Sequence, residues 1–148
     1  SRYWRRLGEA VLDRIEVRAL LLSGRDEAAN TRAEPEDPGG WDSTTMAEAV
    51  RDARRRQQRR YRNSTFELNG EVAPSQLDRY CPLSDRMADW LRTECTESKI
   101  SIRGEHAIRR DARTIADLAG NEQIDQAHLN AALELRRQGR LERILQFA

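Results

Sequence analysis

The sequence predicts a mainly α-helical protein: a small helical bundle preceded by one strand. Three observations carry that expectation. Between residues 43 and 137 apolar side chains recur at helical spacing in segment after segment, most of them opening at a Ser, Asp or Pro suited to start a helix. The connections between these segments are short, as in a bundle. Only one stretch, from Ile15 to Leu22, has the alternating and then continuous apolar character of a strand.

In that stretch Ile15, Val17, Ala19 and Leu21 alternate with Glu16 and Arg18 before Leu20–Leu22 run together. A single strand has no partner for its backbone groups or its two faces. Residues 15–22 are therefore expected either to lack order or to pair with another copy, as a piece of something larger. Residues 23–42, with Glu34-Pro35-Glu36-Asp37-Pro38-Gly39-Gly40, have the composition of an exposed linker.

From Ser43 to Tyr61 the pattern is helical, with Ser43 or Thr44 as the expected cap and Met46, Val50, Ala53, Gln57 and Tyr61 in one stripe. Pro74-Ser75 opens a short helix through Leu77 and Tyr80. Ser84 caps the next, which holds Met87, Trp90, Leu91 and Cys95, with Trp90 expected in the core. A longer helix begins near Gly104, carries Ile108, Ala112, Ile115 and Ala119, and ends at Gly120 in the left-handed conformation. Asp125 caps the last strong helix, with Ile124 and Leu129 at hydrophobic-staple positions before Ala132 and Leu133. Leu141, Ile144 and Leu145 suggest a short helix in the tail, residues 138–148.

Composition narrows the function. The 148 residues carry 26 basic and 25 acidic side chains, a net charge of +1 that removes the simplest electrostatic case for a polyanion binder. No apolar run approaches the length of a membrane helix and the N-terminus lacks the apolar core of a signal peptide, so a cytoplasmic protein with no membrane partner is expected. Cys81 and Cys95, the only cysteines, lack metal-like spacing and are expected as reduced core residues. The single lysine, Lys99, lies between Ser98 and Ile100, so no Gly-Lys-Ser/Thr phosphate loop exists in the chain. These residues alone are not a P-loop ATPase.

Several strings are more specific. Tyr3-Trp4-Arg5-Arg6-Leu7-Gly8-Glu9-Ala10-Val11-Leu12-Asp13-Arg14-Ile15-Glu16-Val17 resembles the arginine-finger segment of magnesium-chelatase-like AAA+ ATPases, with Gly8-Glu9-Ala10 in place of that family's Ser-Gly-Pro. Ala112-Arg113-Thr114-Ile115-Ala116-Asp117-Leu118-Ala119-Gly120 resembles the signature of the YifB/ComM branch. Ile124-Asp125-Gln126-Ala127-His128-Leu129-Asn130-Ala131-Ala132-Leu133-Glu134-Leu135-Arg136 is similar to that branch's ending, and Asn63 fits its Arg/Asn position.

The resemblance implies the C-terminal part of a larger AAA+ ATPase: residues 1–22 as the end of the ATPase core, 23–42 as linker, 43–137 as the helical lid, and the strand as a remnant of the α/β core. It further implies a ring, commonly a hexamer, with ATP and magnesium held between subunits of the intact protein and no cofactor held by this piece alone. ComM-like members are associated with DNA branch migration, and chelatase subunits with magnesium insertion into protoporphyrin; both roles, and DNA as a partner, are expectations of the resemblance.

It also implies site residues. Arg14 falls at the arginine finger, which acts in trans on a neighbour's γ-phosphate, where a planar, permanently charged guanidinium suits the transition state. On the residues alone, the commoner reading of Arg14 is a surface arginine paired with Asp13 or Glu16. Arg110 falls at the lid's sensor-2 position, reading ATP in its own subunit, with Arg103 and Arg113 as alternates; the bland reading pairs them with Glu105, Asp111 or Asp117.

The seven arginines Arg51, Arg54, Arg55, Arg56, Arg59, Arg60 and Arg62 have the density for phosphate contacts, and Arg55, Arg56, Arg59 and Arg60 are the candidate nucleic-acid residues. Arginines on several faces of a helix are more commonly a solvated surface. An autonomous helical module binding nucleic acid is thus the rival reading, and a protein-interaction domain the third. His106 and His128 have no companion ligands and predict no metal site.

Overall fold

The computed structural model describes residues 11, 13–18 and 42–137. Expectations for residues 1–10, 12, 19–41 and 138–148, including most of the linker and the tail helix, lie outside the described residues.

The bundle is as expected. Its elements are α1 (Ser43–Tyr61), two 3-10 turns (Asn69–Glu71 and Pro74–Gln76), α2 (Leu77–Tyr80), α3 (Asp85–Glu97), α4 (Ile102–Leu118) and α5 (Gln126–Arg137). Helix α4 is central, packing against α5, α1, the 69–71 turn, α3 and α2. Its buried face is built mostly of small residues, Gly104, Ala107, Ala112 and Ala116 beside Ile108, which lets neighbouring helices approach closely.

Around Ile108 and Ala112 gather Tyr61, Val72, Leu77, Leu91, Ile124, Leu129 and Leu133, with Trp90 packed partly buried against them. Each fully buried leucine contributes roughly 1.5–3 kcal/mol. Tyr61, Phe66 and Tyr80 close one end as an aromatic triad with ring centroids 5.2 to 6.2 Å apart. Cys81 and Cys95 are free and buried, and burial pushes each thiol up to about 11.

The caps show where local chemistry decided. Asp42, not Ser43 or Thr44, caps α1: its Oδ1 accepts the Thr45 N–H at 2.7 Å, and its charge sits against the positive end of the helix. Ser84 caps α3 by accepting the Met87 N–H at 3.4 Å. Ser101 accepts the Gly104 N–H at 3.0 Å, so α4 starts two residues before Gly104. Gly120 has φ +80°, the left-handed stop expected of it. Asp125 caps α5 through the His128 N–H at 3.0 Å. Of the α1 stripe, Ala53, Gln57 and Tyr61 are buried, whereas Met46 and Val50 remain half-exposed.

The strand expectation needs correction over its described part. Residues 15–18 form no strand, and their backbone bonds to the last turn of α5. The Arg18 N–H donates to the Leu135 carbonyl at 3.1 Å, and Arg136 donates to the Ile15 carbonyl at 3.3 Å. The C-terminal turn of α5 thus supplies the backbone partners that a neighbouring strand would have supplied.

Candidate functional site: an arginine turn seated on the helical bundle

Asp13 and Arg14 form a turn closed by the Arg14 N–H on the Val11 carbonyl at 3.1 Å. Asp13 is engaged on three sides. Arg136 donates to its Oδ1 at 2.7 Å and to its carbonyl at 3.0 Å, and Ser101 Oγ lies 2.8 and 2.9 Å from its two carboxylate oxygens. Two residues beyond Arg14, Glu16 accepts from Arg110 at 3.1 Å. Arg14 itself is exposed, and its guanidinium has no partner among the described residues. The pairing of Arg14 with Asp13 or Glu16 does not form, because both acids are taken by arginines of the bundle.

The three lid candidates are placed very differently. Arg113 is 1% exposed and donates to the Asn121 and Glu122 carbonyls at 2.6 and 2.7 Å, with Asp117 3.2 Å away as its counter-ion. It fastens the loop that follows α4. Arg110 is mostly buried between the Val72 carbonyl, at 3.2 Å, and Glu16, whose side chain is 37% exposed. Arg103 is exposed, with no partner among the described residues.

On α1 the four candidate nucleic-acid arginines separate. Arg60 turns inward: its Nη1 donates to Asp117 Oδ2 at 2.8 Å and to Asn69 Oδ1 at 3.1 Å, and its Nη2 reaches the other Asp117 oxygen. Arg56 is half-buried, with its guanidinium alongside Gly120. Arg55 and Arg59 are exposed with Arg51, Arg54 and Arg62, and Arg55 pairs with Asp52 at 3.2 Å. His128 serves α5, its Nδ1 accepting the Asp125 N–H at 3.0 Å, and the described residues contain no group of three or more metal-ligating side chains.

Sequence reasoning missed the partners: Arg136 and Ser101 for Asp13, Glu16 for Arg110, and Asn69 for Asp117. One signal was available. Arg136 falls on the apolar stripe Leu129, Ala132, Leu133, where a charge is out of place unless something meets it.

Asp111 makes a further prediction. Burial, reinforced by the charge of nearby Glu16, pushes its carboxyl up to about 6 from 3.8, and its Oδ2 has no hydrogen-bond partner. The folded state therefore keeps the Asp111 proton to higher pH than the unfolded chain does. Ionisation works against folding as pH rises from about 4 to about 6. Asp111→Asn is expected to stabilise the domain by about 1–2 kcal/mol at pH 7.5 and hardly at all at pH 4. Denaturant midpoints at the two pH values check this; an equal effect at both would refute it.

These features define the class: a helical domain that fixes one arginine turn on its surface and keeps most other inward-facing cations in internal pairs. The family follows from sequence comparison. The profile described as "Magnesium chelatase, subunit ChlI C-terminal" matches residues 40–136, more than half of the chain, and the chain belongs to this family.

It is 32% identical over 143 residues to the competence protein ComM of Haemophilus influenzae, and 30% and 29% identical over 140 residues to the YifB proteins of Salmonella typhimurium and Escherichia coli. Each alignment covers 95% of this chain and 26% of the relative, so the chain spans about a quarter of their length. No solved structure matches it. Among the described residues no helix is long and apolar enough to cross a membrane.

Proposed function

We propose that the chain is the C-terminal part of a cytoplasmic magnesium-chelatase-like AAA+ ATPase of the ComM/YifB type, working as a ring. In this reading Arg14 is the finger that meets ATP and magnesium held by the next subunit, and Arg110 is the lid's sensor-2 arginine. The observation that carries it is the Asp13-Arg14 turn: its acid is consumed internally while its arginine is left exposed at a fixed point. A surface arginine of no consequence does not need its neighbours tied to two helices. For Arg110, support comes from its place beside the same segment, where half-exposed Glu16 is a resting partner that a γ-phosphate would replace. Arg113 is tied to the loop after α4, so its replacement is expected to read out as lost stability.

Complementation tests the finger. Full-length subunits carrying Arg14→Ala are mixed with subunits whose phosphate-loop lysine, outside these residues, is replaced. Each supplies what the other lacks, so ATP hydrolysis returns. A mixture as inactive as its components refutes a trans role for Arg14. Alanine at 103, 110 and 113 ranks the lid candidates by ATP affinity and turnover, with melting curves alongside.

DNA contact through α1 is the second reading, favoured by the exposed cations Arg51, Arg54, Arg55, Arg59 and Arg62 and by the competence-protein name of one relative. Arg60 is excluded from it by its Asp117 pair. Replacing Arg55 and Arg59 with Ala in the full-length protein is expected to lower the slope of log affinity against log salt by about 0.7–0.9 for each phosphate no longer neutralised. An unchanged slope leaves α1 as a solvated face.

A further inference from the structure

We infer that Arg136 is the positioning residue for Arg14, so that the helical domain of one subunit sets the finger offered to the next; this rests on the reading of Arg14 as a trans finger. Arg136 is almost wholly buried, 4% exposed, and a cation there is costly unless its donors are met. The partners that meet them lie outside the bundle. Its Nη2 donates to Asp13 Oδ1 and to the Asp13 carbonyl, and its Nη1 to the Ile15 carbonyl. Two of these acceptors are the main-chain carbonyls on either side of Arg14. A planar guanidinium gripping both holds the backbone of residue 14 and thereby the direction in which its side chain leaves the surface.

The seat is built for this. Gly104 lies beneath the Arg136 side chain, where a Cβ would stand 2.8 Å from Nε and 2.9 Å from Nη2. Ser101 holds the Asp13 carboxylate at the start of α4, where the helix also favours a negative charge. Arg113, the other deeply buried arginine, instead finds its carbonyls within the bundle, at Asn121 and Glu122. Arg136 differs in spending its donors on the turn.

The test uses the same mixed assemblies of full-length protein, in which only one boundary type is productive: nucleotide held by an Arg14→Ala subunit, finger supplied by a phosphate-loop mutant. Arg136→Ala is placed first in the finger donor and then in the nucleotide holder. Hydrolysis is expected to fall at least 10-fold in the first arrangement and to stay within about 2-fold in the second. Equal loss in both, or loss only in the nucleotide holder, overturns the inference and leaves the finger reading standing. No hydrolysis in the parent mixture overturns the finger reading and this inference with it.

Because Arg136→Ala removes a buried side chain, Asp13→Asn serves as the milder variant. It removes the charge of the grip but leaves an amide oxygen and the two main-chain carbonyls for Arg136, and is expected to show the same donor-only loss with a smaller drop in melting temperature than Arg136→Ala. Donor-independent behaviour of Asp13→Asn likewise overturns the inference.

Discussion

Replacing Asp117 with Ala is expected to destabilise the helical domain by about 3–5 kcal/mol, enough to leave a domain of ordinary stability marginal at 37 °C. Asp117 is 1% exposed and is the only acid paired with Arg60 and Arg113 among the described residues, while also accepting from Asn69 Nδ2 at 2.9 Å. Removing it strands the buried Arg113 cation, against which burial already weighs and for which Asp117 compensates. It also releases Asn69, which accepts the buried Tyr61 hydroxyl at 2.8 Å and ties the 69–71 turn to α1. Arg60→Ala should cost less, because its side chain is 19% exposed and Asp117 keeps its other partners. Urea midpoints decide the matter. A loss below about 1 kcal/mol for Asp117→Ala would mean that Arg113 finds water in its place.

The second large effect concerns turnover. Arg14→Ala in the full-length protein is expected to lower ATP hydrolysis by about 1,000-fold or more while ATP affinity stays within about 2-fold. In the proposed trans role the guanidinium would meet charge that develops on the γ-phosphate only in the transition state, so its loss would fall on the rate and not on binding. Arg14→Lys should recover little, since a point charge on a flexible stem lacks the planar fork. Domain stability should be unchanged, because the Arg14 side chain is exposed and has no partner among the described residues. Weakened ATP affinity at unaltered turnover would place Arg14 in ground-state binding instead.

The bundle was legible because its signals are local. Helical spacing, the Ser84 and Asp125 caps and the Gly120 stop each depend on residues within four or five of one another. The Asp42 cap was less so, since Asp42, Ser43 and Thr44 are all capping types and only the backbone conformation chooses among them. Residues 15–18 misled because an apolar, β-branched run states that backbone and side chains need partners, not what those partners are. Here the backbone finds Leu135 and Arg136, about 120 residues further along, while the Ile15 and Val17 side chains stay exposed.

Arg110 shows the same limit. Counted from Ile108 and Ala112, Arg110 lies off the core stripe of its helix, yet Val72 and Glu16 close over it from two other segments. The inward turn of Arg60 is likewise invisible in a run of seven arginines, because Asp117 meets it from 57 positions away.

Helix α4 joins two anchorages. Its first residue follows Ser101, which holds Asp13, and its last turn carries Asp117, which holds α1 and the loop beyond. Seventeen residues of α-helix make a stiff rod about 25 Å long. Pivoting such a rod by about 10° at the Asp117 end would carry the far end through about 4 Å. That distance exceeds the reach of a hydrogen bond, so a small rotation of the bundle is sufficient to bring a side chain fixed at the tip into contact with a phosphate oxygen or to withdraw it.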